Sequence, residues 1–208
     1  MTTFFTSDQH FGHANIIKYC DRPFADVPEM DEGIIARWNE TVGPDDEVWV
    51  LGDYAMGDRA RGLSYLSRMN GTKYLVSGNH DLCSPVERNG HLHVQQYADA
   101  GFAAVVSQAE VKLPEVVPGE GGLRVLLNHF PYEGDSHTEE DRHAQFRLRD
   151  LRQTLVCGHV HDDWRVRRSP EGTLQVNVGV DVWDFRPVSA EDLHRFILEQ
   201  GDATPSRR

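Results

Sequence analysis

Cysteine is scarce: Cys20, Cys83 and Cys157 are the only three in 208 residues. Their odd number and wide spacing form neither a CxxC pair nor a disulfide framework, so we read them as small buried hydrophobes in a reducing compartment. Basic residues are in deficit too, with Lys+Arg 21 against Asp+Glu 33 and a net charge of −12. A protein that grips long nucleic acid through counterion release needs clustered Lys and Arg, so such a partner is not expected. A small phosphorylated substrate stays open, because a bound metal supplies positive charge locally. No apolar run approaches the ~20 residues of a bilayer span. Repeats and low-complexity tracts are missing as well. The start, Met1-Thr2-Thr3-Phe4, carries no basic stretch and enters a strand-like segment directly, so we expect no secretory signal and a cytoplasmic setting. The length and a hydrophobic fraction of 39% suit one soluble domain, drawn here as 1–200 with a flexible tail at 201–208.

What is present is a series of short apolar strands, each stopping at a polar cluster. Thr2–Thr6 stops at Ser7-Asp8-Gln9-His10, and Glu47–Leu51 at Gly52-Asp53. Lys73–Val76 stops at Ser77-Gly78-Asn79-His80-Asp81, and Leu123–Leu127 at Asn128-His129. Thr154–Val156 stops at Cys157-Gly158-His159-Val160-His161. Helical spacing marks Met30–Val42, a segment carrying Leu63, Leu66 and Met69, His91–Ala100, and Ala190–Gln200. Trp164–Arg168 and Leu174–Val178 flank Pro170-Glu171-Gly172 and read as a hairpin. Residues 130–145 read as a long polar loop whose acidic residues, from Glu133-Gly134-Asp135 to Asp141, form a solvated face. Strands alternating with helices first, and then mostly strands, predict an α/β sandwich with a mixed sheet.

In α/β sheets ligands bind at the carboxyl ends of strands. Five strand ends here supply Asp8 and His10, Asp53, Asn79 with His80, His129, and His159 with His161. In Asp8-Gln9-His10 and His159-Val160-His161, residues i and i+2 of an extended chain share a side, ~6–7 Å apart. Each pair therefore suits one ion or two neighbouring ions. Nitrogen and oxygen donors without thiolate fit Mn, Fe, Zn, Co or Ni.

Asp8-x-His10, Gly52-Asp53, Gly78-Asn79-His80-Asp81, His129 and Gly158-His159-Val160-His161, in that order, resemble the calcineurin-like metallophosphoesterase superfamily. The run Asp8-Gln9-His10-Phe11-Gly12-His13-Ala14-Asn15-Ile16-Ile17 with Cys20-Asp21-Arg22-Pro23-Phe24 is similar to a small single-domain bacterial and bacteriophage subgroup. The resemblance implies a four-layer αββα sandwich of two mixed β-sheets flanked by helices. It implies two divalent transition-metal ions, manganese or iron first, with zinc, cobalt or nickel also compatible. Asp8, His10 and His161 then hold one ion, Asn79, His129 and His159 the other, and Asp53 bridges them. A bridging hydroxide would attack phosphorus, and His80 would protonate the leaving oxygen. Where the protein phosphatase branch carries a second Asp that orients this histidine, the present chain has Met56. Asp58 and Asp81 are the remaining candidates for that task.

Three residues are weighed as substrate contacts. His13 and Asn15 either face the pocket or cap a helix, and Arg22 either binds phosphate or forms a salt-bridged turn. Trp183 and Phe185 are read as packing. The function expected is hydrolysis of small, nucleotide-type phosphodiesters, cyclic nucleotides among them. A broad-specificity phosphomonoesterase is the alternative, followed by a non-catalytic scaffold of the same fold. Oligomeric state is not legible.

Overall fold

The structure, a computed structural model, describes residues 1–136, 138 and 140–201. Its elements in chain order are β1 (Thr3–Thr6), α1 (Ala14–Tyr19), α2 (Val27–Thr41), β2 (Glu47–Val50), α3 (Arg59–Ser64), β3 (Thr72–Val76), α4 (Val94–Ala100) and β4 (Phe102–Val106). There follow β5 (Ala109–Lys112), β6 (Arg124–Leu127), β7 (Leu155–Cys157), β8 (Val166–Arg168), β9 (Leu174–Asn177), β10 (Val188–Ser189) and α5 (Ala190–Glu199). The strands form two five-stranded sheets, ordered β10-β1-β2-β3-β4 and β5-β6-β7-β9-β8. Both are mixed. β1 to β4 run parallel with β10 antiparallel at the edge, while β6, β7 and β9 run parallel between antiparallel β5 and β8.

Period-2 alternation divides the apolar residues between two cores. Phe4, Val48, Val50 and Leu75 face the helices and pack with Ile16, Met30, Trp38, Leu63 and Tyr97. Phe5, Leu51 and Val76 face the other way and meet Val125, Leu127, Val156 and Val176 of the second sheet, with Leu193 and Ile197 of α5 joining them. The expected arrangement of two mixed sheets flanked by helices is thus present. On the outer face of the second sheet, Leu155 and Cys157 are covered by Tyr132, Leu148 and Trp164. Tyr132 and Leu148 come from the connection between β6 and β7, whose only helical turn among the described residues is the 3-10 turn Ala144–Phe146, and Trp164 from the connection between β7 and β8.

α2 begins three residues before the expected Met30. Asp26 accepts from the Glu29 backbone N–H at 2.9 Å, and Pro28 occupies the first turn. A cap lies outside the apolar stripe it protects, so the stripe alone marks the start late. The segment around Leu63 and Leu66 is α3 followed by the 3-10 turn Tyr65–Arg68, with Met69 already extended. β4, β5 and β10 were not anticipated. β4 and β5 are edge strands, largely half-exposed or exposed; β4 is the short apolar run Phe102–Val106, β5 alternates apolar with charged residues, and β10 has two residues. The hairpin is present as β8 and β9, with Gly172 at φ +83° in its turn. Of the expected tail, 202–208 lie outside the described residues. No helix among the described residues is long and apolar enough to cross a membrane.

Candidate metal centre

The donors leave the carboxyl ends of β1, β2, β3, β6 and β7, all parallel strands, so five loops open at one edge of the sandwich. Sheet continuity ends there in a tight weave. Asp8 N–H donates to the Gly52 carbonyl at 3.0 Å, His10 N–H to Asp53 at 3.0 Å, and Val180 N–H to Ser7 at 3.0 Å. Ser7 also bridges Gly179, joining the two sheets beside Asp8. Asp8, His10, Asp53, His159 and His161 all adopt left-handed backbone, with φ between +46° and +71°. Such conformations cost non-glycine residues ~1–3 kcal/mol each and persist only where the surroundings hold them. Gly52, at φ +93°, admits no side chain: a Cβ would lie 2.6 Å from Gly78 N and from His129 Nδ1.

Asp8, His10 and His161 present donor atoms within 4.8 Å of one another, and so do Asp8, Asp53 and His129. His10 Nε2 and His161 Nε2 lie 3.1 Å apart, at 3.9 and 3.8 Å from Asp8 Oδ1. Asp53 Oδ2 sits between the two groups, 3.7 Å from His10 Nε2 and 3.6 Å from His129 Nε2. Asn79 Oδ1 lies 3.0 Å from His129 Nε2. His159 is beside this second group, its ring 5.1 Å from that of His129, and no tight donor group includes it.

Electrostatics explain what such a cluster requires. Asp8, Asp53 and His129 are at most 1% exposed. Burial pushes the Asp8 carboxyl up to about 7. Burial and the neighbouring Asp81 raise Asp53 well above the carboxylate range. Burial lowers His10 strongly and His159 to about 3, keeping both rings neutral and able to donate a lone pair. Asp8 Oδ1 is buried and receives no hydrogen bond. Carboxylate and imidazole lone pairs facing one another without a donor between them fit divalent cations, whose charge offsets the cost of burying the carboxylates. The donor set therefore suits the expected ions.

Neighbouring residues sort differently from their sequence reading. The His80 ring stands 5.6 Å from that of His10, and its backbone N–H donates to Asp53 Oδ1 at 2.8 Å. Neither candidate for orienting that ring does so. Asp58 caps α3, and Asp81 accepts from the backbone N–H groups of Asp53, Tyr54 and Gly78, stapling two donor loops together. The His13 ring stands 5.4 Å from that of His10 and makes no side-chain cap on α1, whereas Asn15 is exposed on that helix. Arg22 is salt-bridged, the second of its two readings. Its guanidinium pairs with both oxygens of Asp181 and donates to the Asp8 and Gln9 carbonyls at 2.8 and 2.9 Å, so substrate finds it occupied. Trp183 packs on Phe196 and Phe185 on Phe24, as expected.

The solvated acidic loop needs the largest correction. Asp135 is 6% exposed and lies 3.0 Å from His159 Nε2. Burial alone would raise its carboxyl, yet contacts from His159 and Arg142 hold it below the usual range. The His143 ring packs tilted against Phe130, its centre 6.3 Å from that of His159. The sequence signal for a folded loop was the presence of Arg142 and Arg147 a few residues after the acidic stretch.

A two-sheet sandwich with carboxylates and imidazoles gathered at its strand ends defines a class of metal-binding α/β proteins. Within that class the chain belongs to the calcineurin-like phosphoesterase superfamily, whose domain profile matches residues 1–187. Membership implies metal-dependent hydrolysis of phosphoesters. Gene 66 protein of Mycobacterium phage L5 is 39% identical over 199 residues, covering 94% of this chain and 93% of that protein. Gene 66 protein of Mycobacterium phage D29 is 38% identical over 182 residues, 86% and 87% of the two chains. The crystal structure of AQ665 from Aquifex aeolicus, a protein of unknown function, shares the fold at a TM-score of 0.64 and 24% identity, over 94% of this chain and 99% of that one.

Proposed function

We propose that the chain hydrolyses small phosphodiesters of nucleotide type at this centre. Asp8, His10 and His161 hold one ion, Asn79, His129 and His159 the other, and Asp53 lies between them. Two bound ions supply Lewis-acid polarisation of the phosphate and a water acidic enough to attack it at neutral pH. The chain's own residues do the rest. His80, which belongs to neither donor group, contacts the phosphate and passes a proton to the departing oxygen. Burial, with His129 and His13 nearby, lowers its pKa to about 4, and the negative charge of a bound phosphate raises it again.

The observation that carries the diester reading is the charge around the donors. The flanking rings of His13, His80 and His143 are all held below the usual histidine pKa by burial. Arg22 is consumed by Asp181, and Arg142 pairs with Asp135. With these groups neutral or paired, and Arg59 at 3.3 Å from the His80 carbonyl a cation nearby, the modest positive charge suits the single charge of a diester better than the double charge of a monoester. The net charge of −12 favours small substrates over long polyanions. Manganese or iron in a cytoplasmic setting remains part of this proposal.

The test uses His80→Ala, with metal content measured in the same samples. Both ions should stay bound while cleavage of a nucleoside diester falls roughly 10²–10⁴-fold. A nitrophenyl ester, whose leaving group departs as an anion, should lose less. Equal losses would reduce His80 to an electrostatic role, lost metal would make it a ligand, and a wild type active only on monoesters would overturn the diester reading.

A further inference from the structure

We propose that the cavity between the ends of β3 and β6 and the 3-10 turn Ala144–Phe146 seats the base of a nucleotide whose phosphate lies at the metal centre. The inference rests on the nucleotide-type reading above and adds the place where the organic half of the substrate binds. The cavity holds about 310 Å³. That is the low end of the ~300–1,000 Å³ usual for ligand pockets, and it suits one base rather than a longer oligonucleotide. Two of its walls are continuous with the donors. Ser77 follows β3 just before Gly78-Asn79, and Asn128 follows β6 just before His129. A third, Phe130, sets its ring 4.9 Å from the rings of both His129 and His159. A group in this cavity therefore sits next to the histidines assigned to the second ion, within one nucleotide's reach of a phosphate bound there.

The lining selects the chemical class. Phe130 and Phe146 supply aromatic surface, which favours flat aromatic partners. Asn128 and Gln145 bring amides, each both donor and acceptor. Asn128 Oδ1 accepts from the Phe130 N–H at 2.8 Å, whereas its Nδ2 has only a 3.5 Å contact with the Ser107 carbonyl, so an amide donor is left for a ligand. Arg147, the one charged side chain of the lining among the described residues, is occupied. It pairs with Asp135 Oδ2 at 3.0 Å and donates to the Pro131 and Gly134 carbonyls at 3.0 and 2.8 Å. Aromatic surface, neutral amides and a neutralised cation suit an uncharged heteroaromatic ring that hydrogen-bonds at its edge. A second phosphate would find no free cation here, and an alkyl chain would leave the Asn128 amide unpaired.

Phe146 is half-buried and Gln145 exposed, so both can be truncated without opening either core. The test compares kcat/KM on thymidine 5′-nitrophenyl phosphate and on methyl nitrophenyl phosphate, which share the leaving group and differ in the base. Phe146→Ala should lose roughly 5–150-fold on the thymidine ester, the range for removing one stacking partner of a base, and nothing on the methyl ester. Gln145→Ala should lose less, again on the thymidine ester alone. Equal losses on both esters, or none on the thymidine ester, overturn the proposal. A second measurement reads the site without turnover. In 1H–15N spectra of the wild type titrated with thymidine 5′-monophosphate, the side-chain amide signals of Asn128 and Gln145 should shift. If neither moves, the base binds elsewhere and the proposal fails. A wild type that cleaves neither ester yet shows these shifts overturns the diester reading and leaves the base site standing, which separates the two failures. Should Phe146→Ala not fold, Gln145→Ala and the wild-type titration decide.

Discussion

Arg22 shows how a residue near the donors serves them without touching substrate. Asp8 and Asp53 need their backbone in a left-handed conformation, and something must hold it there. Arg22 grips the Asp8 and Gln9 carbonyls while its charge is balanced by Asp181, and both side chains are nearly inaccessible. Removing one partner of such a pair strands the other in the interior, at a cost of about 3–5 kcal/mol. Arg22→Met is therefore expected to lose that much in urea denaturation and to bind divalent ions more weakly. Wild-type stability with only a raised KM would return Arg22 to substrate binding. Asp181 lies 159 residues away in the chain, which is why the alternatives for Arg22 stayed open in the sequence.

At the scale of elements, strands and loops were legible in proportion to how fully they are buried. The parallel strands β1, β2, β3, β6 and β7 announce themselves as apolar runs, and their ends carry the proposed donors. The edge strand β5 did not, because its apolar residues alternate with charged ones. Loop geometry at the strand ends is the most demanding feature. Gly52→Ala combines a left-handed backbone with a Cβ against Gly78 and His129, and is expected to cost ~2–4 kcal/mol and to lower metal occupancy. Gly172→Ala in the β8–β9 turn meets nothing within 4 Å and should cost only ~1–2 kcal/mol. Denaturation midpoints of the two variants with metal analysis check the contrast, and equal losses would deny the close approach.

For the whole molecule, folding and the proposed metal binding would share the same buried carboxylates. Burial lifts the Asp8 carboxyl to about 7, so below neutrality it carries a proton that must leave before it ligates, and Asp53 is shifted in the same direction by burial and Asp81. His159, lowered to about 3, stays neutral throughout and contributes no opposing slope above pH 5. Metal affinity is therefore expected to rise with pH up to about 7 and to flatten above it. Calorimetry in buffers of different ionisation enthalpy should find proton release at pH 6 that declines toward pH 8. At 100 times Kd the ions add ~2.7 kcal/mol of stability, so the gain in Tm at one fixed metal concentration should be larger at pH 8 than at pH 6. Proton uptake, or a gain independent of pH, would contradict the assignment of Asp8.

The order of the strands, the polar cluster after each, and the nitrogen and oxygen atoms those clusters offer are local properties, legible along the chain. Hydrophobic periodicity and glycine placement act within a few residues, so they survive without knowledge of the fold. Tertiary structure decided which polar residues are buried and against what. Asp135 looks like part of a solvated acidic loop until Arg142 and Arg147 fold around it and His159 arrives from β7. Asp81 looks like a partner for His80 until the Gly52 and Gly78 turns bring three backbone donors to it. A carboxylate's role follows from the donors that surround it, and those donors come from segments that meet only when the two sheets close on one another.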